Sequence, residues 1–153
     1  MLTPGWYLPD IDWFAQLHTA PRPADEAQAV LDQLDLLFRD EQAFGPAQTI
    51  TATYVILLGA EHLGDTMTHH ARCHDLTELM RMLSGLNLAV AHLTQIVQRV
   101  AGHADSRMFP GMDQTPGEAV QALVDQLSTA GASGELFAGH LKEAHLILRG
   151  LAA

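Results

Sequence analysis

Residues 76–100, LTELMRMLSGLNLAVAHLTQIVQRV, form the most regular segment of this chain. Its large apolar residues recur at alternating spacings of three and four, the heptad pattern of a helix that packs along its whole length. This leucine–valine stripe consists of Leu76, Leu79, Leu83, Leu86, Val90, Leu93, Val97 and Val100. Neighbouring apolar residues (Met80, Met82, Ala89 and Ile96) widen it. The pattern predicts a long helix that forms the core seam, lying at the centre of a bundle or shared with a second subunit.

The residues around this helix predict its ends and its neighbours. Asp75 and Glu78 have the spacing of a capping box that starts it, and Gly102 predicts its end. Upstream, one amphipathic helix is predicted from about Pro23 and a second over about 47–72, apolar in its first half and rich in histidine in its second. Downstream, a loop over 103–114 leads to a short helix, a tight connector at 131–134 and a last amphipathic helix.

The N-terminal residues 1–22 form an aromatic arm with prolines on both sides. Asp10 predicts the start of a short helix that reaches about His18. The aromatic residues are Trp6, Tyr7, Trp13 and Phe14. Because dense aromatic side chains seldom remain in water, we expect this arm either to pack on the bundle or to dock on a partner.

Together these patterns predict one all-α domain over residues 1–153, an antiparallel bundle of four to five helices. Apolar residues make up 48% of the chain and charged residues 17%, which suits a folded domain with a core. The formal net charge is −10, and Lys142 is the single lysine. An acidic chain without a basic cluster disfavours nucleic-acid binding and would suit a basic protein partner.

Cellular location is also an expectation from the sequence. Cys73 is the single cysteine, so an internal disulfide is excluded and a reducing compartment fits. The N-terminus has neither the basic segment nor the apolar segment of a secretion signal. The longest apolar run, residues 54–58, is too short to cross a bilayer. We therefore expect a cytoplasmic protein that is not embedded in a membrane.

A histidine-rich stretch, EHLGDTMTHHARCHD (residues 61–75), is the main candidate for chemistry. Imidazole, thiolate and carboxylate groups are ligands for zinc and for redox metals. The candidate metal-ligating residues are His62, His69, His70, Cys73, His74 and, from the next helix, His92. Their spacing places them on different helical faces, so they cannot all reach one ion, and no established metal or haem motif is present. The simpler interpretation is a set of histidines near a helix C-terminus, where the helix dipole favours cations, so no cofactor is expected.

No catalytic triad, phosphate loop or dinucleotide fingerprint occurs in the chain. The sequence therefore favours a non-enzymatic, protein-binding helical bundle that self-associates and acts as a regulatory, accessory or inhibitor (immunity-type) subunit. Besides the aromatic arm, the candidate interaction residues are Met108, Phe109 and Met112 in the predicted loop. A metal-dependent bundle holding zinc, iron or haem at the His62–His74 cluster is the alternative. A bundle that binds an apolar small molecule between helices is a second alternative.

Overall fold

The computed structural model describes residues 25–39 and 44–152, which are almost entirely helical and contain no strand. Four α-helices lie in the described ranges: α1 (Asp25–Arg39), α2 (Pro46–His69), α3 (Leu76–Asp105) and α4 (Gly117–Ala152). Short 3₁₀ turns lie between them at Ala71–Cys73 and Met112–Gln114. The all-α prediction is confirmed, whereas the packing of the helices into one bundle remains a prediction. The predicted aromatic arm falls outside the described residues.

The first of two compact units contains α1 and α2. Asp25 and Glu26 stand in the first turn of α1, where the helix dipole stabilises carboxylates, and Arg39 stands in the last turn. Pro46 starts α2, because the fixed φ of proline fits the first helical turn. The α2 helix ends at His69, and the backbone N–H of His70 donates to the Thr66 carbonyl at 2.8 Å. Neither helix contains a buried residue.

The second unit is an antiparallel hairpin of α3 and α4. The α3 helix runs without interruption through Gly85, as predicted, but it also passes Gly102 and ends at Asp105. One interior glycine costs a helix only about 1 kcal/mol relative to alanine, which is too little to end a packed helix. The predicted connector at 131–134 is wrong for a related reason. Residues 117–152 form one continuous helix.

The connection between α3 and α4 is a clamped loop. Arg107 adopts a left-handed backbone conformation with φ of 51°, and Gly111 does so with φ of 85°. The Arg107 guanidinium donates through Nη1 to the carbonyls of Met112 at 3.1 Å and Thr115 at 3.2 Å. These bonds satisfy loop carbonyls and hold the turn that sends α4 back along α3.

Candidate functional site: the two faces of helix α3

The face of α3 that α4 covers is not the leucine–valine stripe. The buried residues on this face recur at heptad spacing one position after the stripe, about 100° further around the helix. They are Met80, Ser84, Asn87, Ala91, Thr94 and Ala101; α3 also buries Arg81 and Ala104, which lie outside this spacing. On α4 the buried residues are Val120, Gly131, Ala138 and His145. We call these two sets the hairpin seam. Apart from Met80, Val120 and His145, its members are small residues or short polar ones.

Two buried hydrogen bonds cross the hairpin seam. The side-chain amide of Asn87 donates through Nδ2 to the backbone carbonyl of Ala138 at 2.6 Å. Two helical turns away, at the end of the seam near the start of α3, Nδ1 of His145 donates to the Met80 carbonyl at 3.0 Å. Asn87 and His145 are both fully buried, so each bond is made without competition from water. Such bonds fix one register between the two helices, because a shifted register would leave the same groups buried and unsatisfied.

One buried hydroxyl in the seam lacks such a bond. Ser84 is fully buried, and its Oγ makes no hydrogen bond to the described residues. A buried hydroxyl without a partner lowers stability, since the group has lost its water. What Ser84 contributes to the seam is its small volume, which allows close packing between the helices.

The two helices approach most closely where α4 has glycine. A Cβ atom built on Gly134 would lie 3.1 Å from Cβ of Thr94, which is closer than packed carbon atoms tolerate. A Cβ on Gly131 would lie 2.9 Å from Cγ of Gln98. Gln98 also donates through Nε2 to Oε1 of Glu135 at 2.6 Å along the edge of the seam. Gly131 and Gly134 were predicted to lie in a connector between two helices. They lie instead within α4, on the surface that contacts α3.

The leucine–valine stripe lies beside the seam and is not buried at any of its eight positions. Leu76 is 57% exposed and Leu93 is 39% exposed, while the remaining six are half-buried. Ile96, beside the stripe, is 49% exposed. The long helix was therefore predicted correctly, but the face that the hairpin buries was not. The sequence does contain a pattern that predicts the buried face. From Ser84 to Ala101, small and polar residues also recur at spacings of three and four.

The predicted metal ligands do not converge. His62 lies on α2, Cys73 in the following 3₁₀ turn and His92 on α3, and all three are exposed. The rings of His69 and His70 stand edge to face with centroids 6.5 Å apart, and His74 donates through Nδ1 to the His70 carbonyl at 3.2 Å. Within residues 25–39 and 44–152, no three histidine, cysteine or carboxylate side chains are placed to hold a metal ion. The described geometry gives no support to a metal or haem site at this cluster, which stays a prediction from the sequence.

The predicted interaction residues of the loop are accessible. Met108 is 66% exposed and Phe109 is exposed, while Met112 is half-buried. His103, near the end of α3, contacts both of the exposed residues. Its Nδ1 lies 3.1 Å from the Met108 sulfur, and its ring stands edge to face with Phe109 at 6.3 Å. The other predicted interaction residues (Trp6, Tyr7, Trp13 and Phe14) fall outside the described part of the chain.

The first unit carries an open apolar groove where α1 ends and α2 begins. Its volume is about 740 Å³, and its walls include Leu37, Phe38, Phe44, Pro46 and Ile50. The groove lies within the α1–α2 unit, whereas the sequence predicts a small-molecule site between the helices of a bundle. No described side chain with a charge lines it.

The chain matches no protein-family model, no curated protein and no solved structure. None of the helices in the described ranges combines the length and the apolar character that a membrane crossing requires. The protein is therefore classified by its fold and by the arrangement of its helix faces. It is an all-helical protein in which an antiparallel hairpin is closed by a small, polar seam and presents a separate apolar stripe.

Proposed function

We propose that this chain is a non-enzymatic protein-binding module, acting as an accessory or regulatory subunit, and that the leucine–valine stripe of α3 is its binding surface. The observation that carries the proposal is the separation of the two faces of α3. The hairpin uses the small, polar face for its own closure, which leaves the larger apolar residues for another helix. Recognition of one apolar helix face by another is a common mode of protein association.

The physical argument rests on the free energy of apolar burial. Each leucine or valine gains about 1.5–3 kcal/mol when it passes from full exposure to full burial. The stripe obtains only part of this burial free energy, because its residues are half-buried or exposed and none is fully buried. A partner helix that covers the stripe would recover the remainder at eight positions along one line. The acidic charge of −10 and the lone Cys73 support the further proposal of a cytoplasmic module whose partners include basic proteins.

A photo-crosslinking amino acid at position 93 tests the proposal directly. Leu93 lies in the stripe and is partly exposed, while Gln121, on the first turns of α4, is exposed and provides the matched control position. We expect position 93 to crosslink to a separate polypeptide, in purified protein or in extract of the source cell, and position 121 not to do so. Crosslinks from position 93 only to residues 25–69 of the same chain would show that the stripe is an internal core, and the proposed function would then be wrong.

A second candidate function is the binding of an apolar small molecule in the α1–α2 groove, which its apolar walls support. Titration with a fluorescent apolar probe would test it. The expected result is saturable binding that Phe38→Gln weakens and Leu93→Gln leaves unchanged. Binding that is equally sensitive to both substitutions would place the probe elsewhere.

A further inference from the structure

The charges that flank the stripe identify its partner. We propose that the leucine–valine stripe of α3 binds the α3 helix of a second copy of this chain, antiparallel to the first and related to it by a two-fold axis beside Ala89. This inference rests on the proposed function, and it names the partner of the same surface. Two hairpins would then form one four-helix assembly with α3 of each copy at its centre.

In this arrangement the apolar residues of one α3 helix face apolar residues of the other. An antiparallel two-fold pairing places each residue before Ala89 opposite one at a similar distance after it. The resulting pairs are Leu79 with Val100, Met82 with Ile96, Leu83 with Val97, Leu86 with Leu93, and both Val90 and Ala89 with their own copies. Every pair is apolar, and seven of the eight stripe residues take part, Leu76 alone lying beyond the overlap. Ala89 is exposed and small, so the two helices can approach closely at the axis.

Charge complementarity selects this orientation. Glu78 and Arg99 lie on the same line of α3, three heptads apart, next to the apolar face and near opposite ends of the helix. This antiparallel register brings Glu78 of one copy beside Arg99 of the other, and the two-fold axis makes this pair twice. Asp75 and His103 extend the same pattern beyond the stripe. Opposite charges that flank an apolar helix interface set the orientation and register of the partner.

The alternative orientations lack this match. A parallel pairing would place Glu78 beside Glu78 and Arg99 beside Arg99, and like charges at close range are repulsive. An antiparallel pairing shifted by one heptad would separate Glu78 from Arg99 and would leave a longer part of each stripe uncovered. Antiparallel helices also bring opposite ends of their dipoles together. The charges, the apolar overlap and the dipoles therefore favour the same arrangement.

Disulfide trapping tests the two-fold axis. In the full chain carrying Cys73→Ser, Ala89→Cys places a thiol opposite its own copy, and mild oxidation is expected to give a covalent dimer with retained helix content. Gln121→Cys in the same background is the matched control, since position 121 is exposed on α4 away from α3, and it is expected to stay monomeric on denaturing gels. A covalent dimer yield at position 89 no higher than at position 121 would overturn the inference.

Charge exchange tests the register. Sedimentation should show a dimer of the wild-type chain that Arg99→Glu weakens by about tenfold or more in dissociation constant, since two attractive pairs become repulsive. Glu78→Arg is expected to do the same. The double variant Glu78→Arg/Arg99→Glu should return to within about threefold of wild type, because the exchanged charges attract again. Circular dichroism of each variant checks that the hairpin remains folded, and failure of the double variant to recover would contradict the proposed register.

The inference and the proposed function fail in different ways. A monomeric wild-type chain whose position 93 crosslinks to a different protein would refute the second-copy partner and leave the binding function intact. Position 93 crosslinking only within its own chain would refute both. A dimer that is insensitive to every substitution on α3 would show that self-association uses another surface, and it would refute the inference alone.

Discussion

The α3–α4 hairpin and the α1–α2 unit differ in where their apolar residues lie. The hairpin seam buries alanine and glycine with serine, asparagine and threonine, and its larger members are Met80, Val120 and His145, whereas α2, which has an apolar first half, buries no residue. Tyr54, Leu57 and Leu58 of α2 are all exposed by half or more. The difference shows that hydrophobicity alone does not select a contact face. Close approach, permitted by small residues and fixed by buried hydrogen bonds, selected the hairpin contact.

Threonine shows the same contrast at the level of single side chains. In α2, Thr51 and Thr53 donate to the carbonyls four residues earlier, at 2.9 Å each, and both lie away from any buried contact. Thr94 in α3 makes the same kind of bond to the Val90 carbonyl at 2.7 Å, but it is buried against Gly134. Satisfying its hydroxyl within its own helix allows Thr94 to enter the seam at little cost.

Among the substitutions that test the contrast between the two units, His145→Ala is expected to change the free energy of unfolding most. It removes a fully buried ring and the hydrogen bond to the Met80 carbonyl, and we expect a loss of about 2–4 kcal/mol in the free energy of unfolding. Urea unfolding followed by circular dichroism measures it. His140→Ala, at an exposed position of the same helix, is the control and is expected to stay within about 0.5 kcal/mol of wild type. Equal effects from the two substitutions would contradict the buried seam.

A smaller effect is expected from Gly134→Ala. The added methyl group meets Thr94, and overpacking of about 1–3 kcal/mol exceeds the gain of up to about 1 kcal/mol in helix propensity. Gly139→Ala is the matched control, because nothing lies within 4 Å of its added Cβ, and it is expected to stabilise by about 0.5–1 kcal/mol. Thermal unfolding of the two variants should therefore shift in opposite directions. A stabilising Gly134→Ala would show that the helices are further apart at this point.

The smallest effect is expected from Leu57→Gln in α2. Leu57 is 51% exposed, and glutamine retains helix propensity, so the free energy of unfolding should change by no more than about 0.5 kcal/mol. Denaturant unfolding is again the measurement. A loss above about 1.5 kcal/mol would mean that this face of α2 is covered in solution, and the contrast between the two units would then disappear.

Several features of the fold follow from local sequence. The leucine–valine stripe predicted α3, and the heptads of α4 were visible on both sides of Gly131, because an apolar face at helical spacing requires nothing beyond the segment itself. The early end of α2 and the 3₁₀ turn at Ala71–Cys73 were less accessible, since helix ends depend on a few backbone bonds of small energy. The histidine cluster was visible as composition, but composition does not state whether ligands converge.

Composition and residue spacing were enough to establish that this chain is helical and acidic and that it carries a long heptad stripe. Which face of α3 the hairpin buries became evident only once α3 and α4 were seen packed together. Two adjacent faces of α3 carry the same three-and-four spacing, and local sequence cannot rank them, because the choice depends on what α4 offers opposite each one. Gly131, Gly134 and Ala138 offer a shallow surface that small and polar side chains can approach closely, so α4 packs on that face and the leucines remain outside the seam.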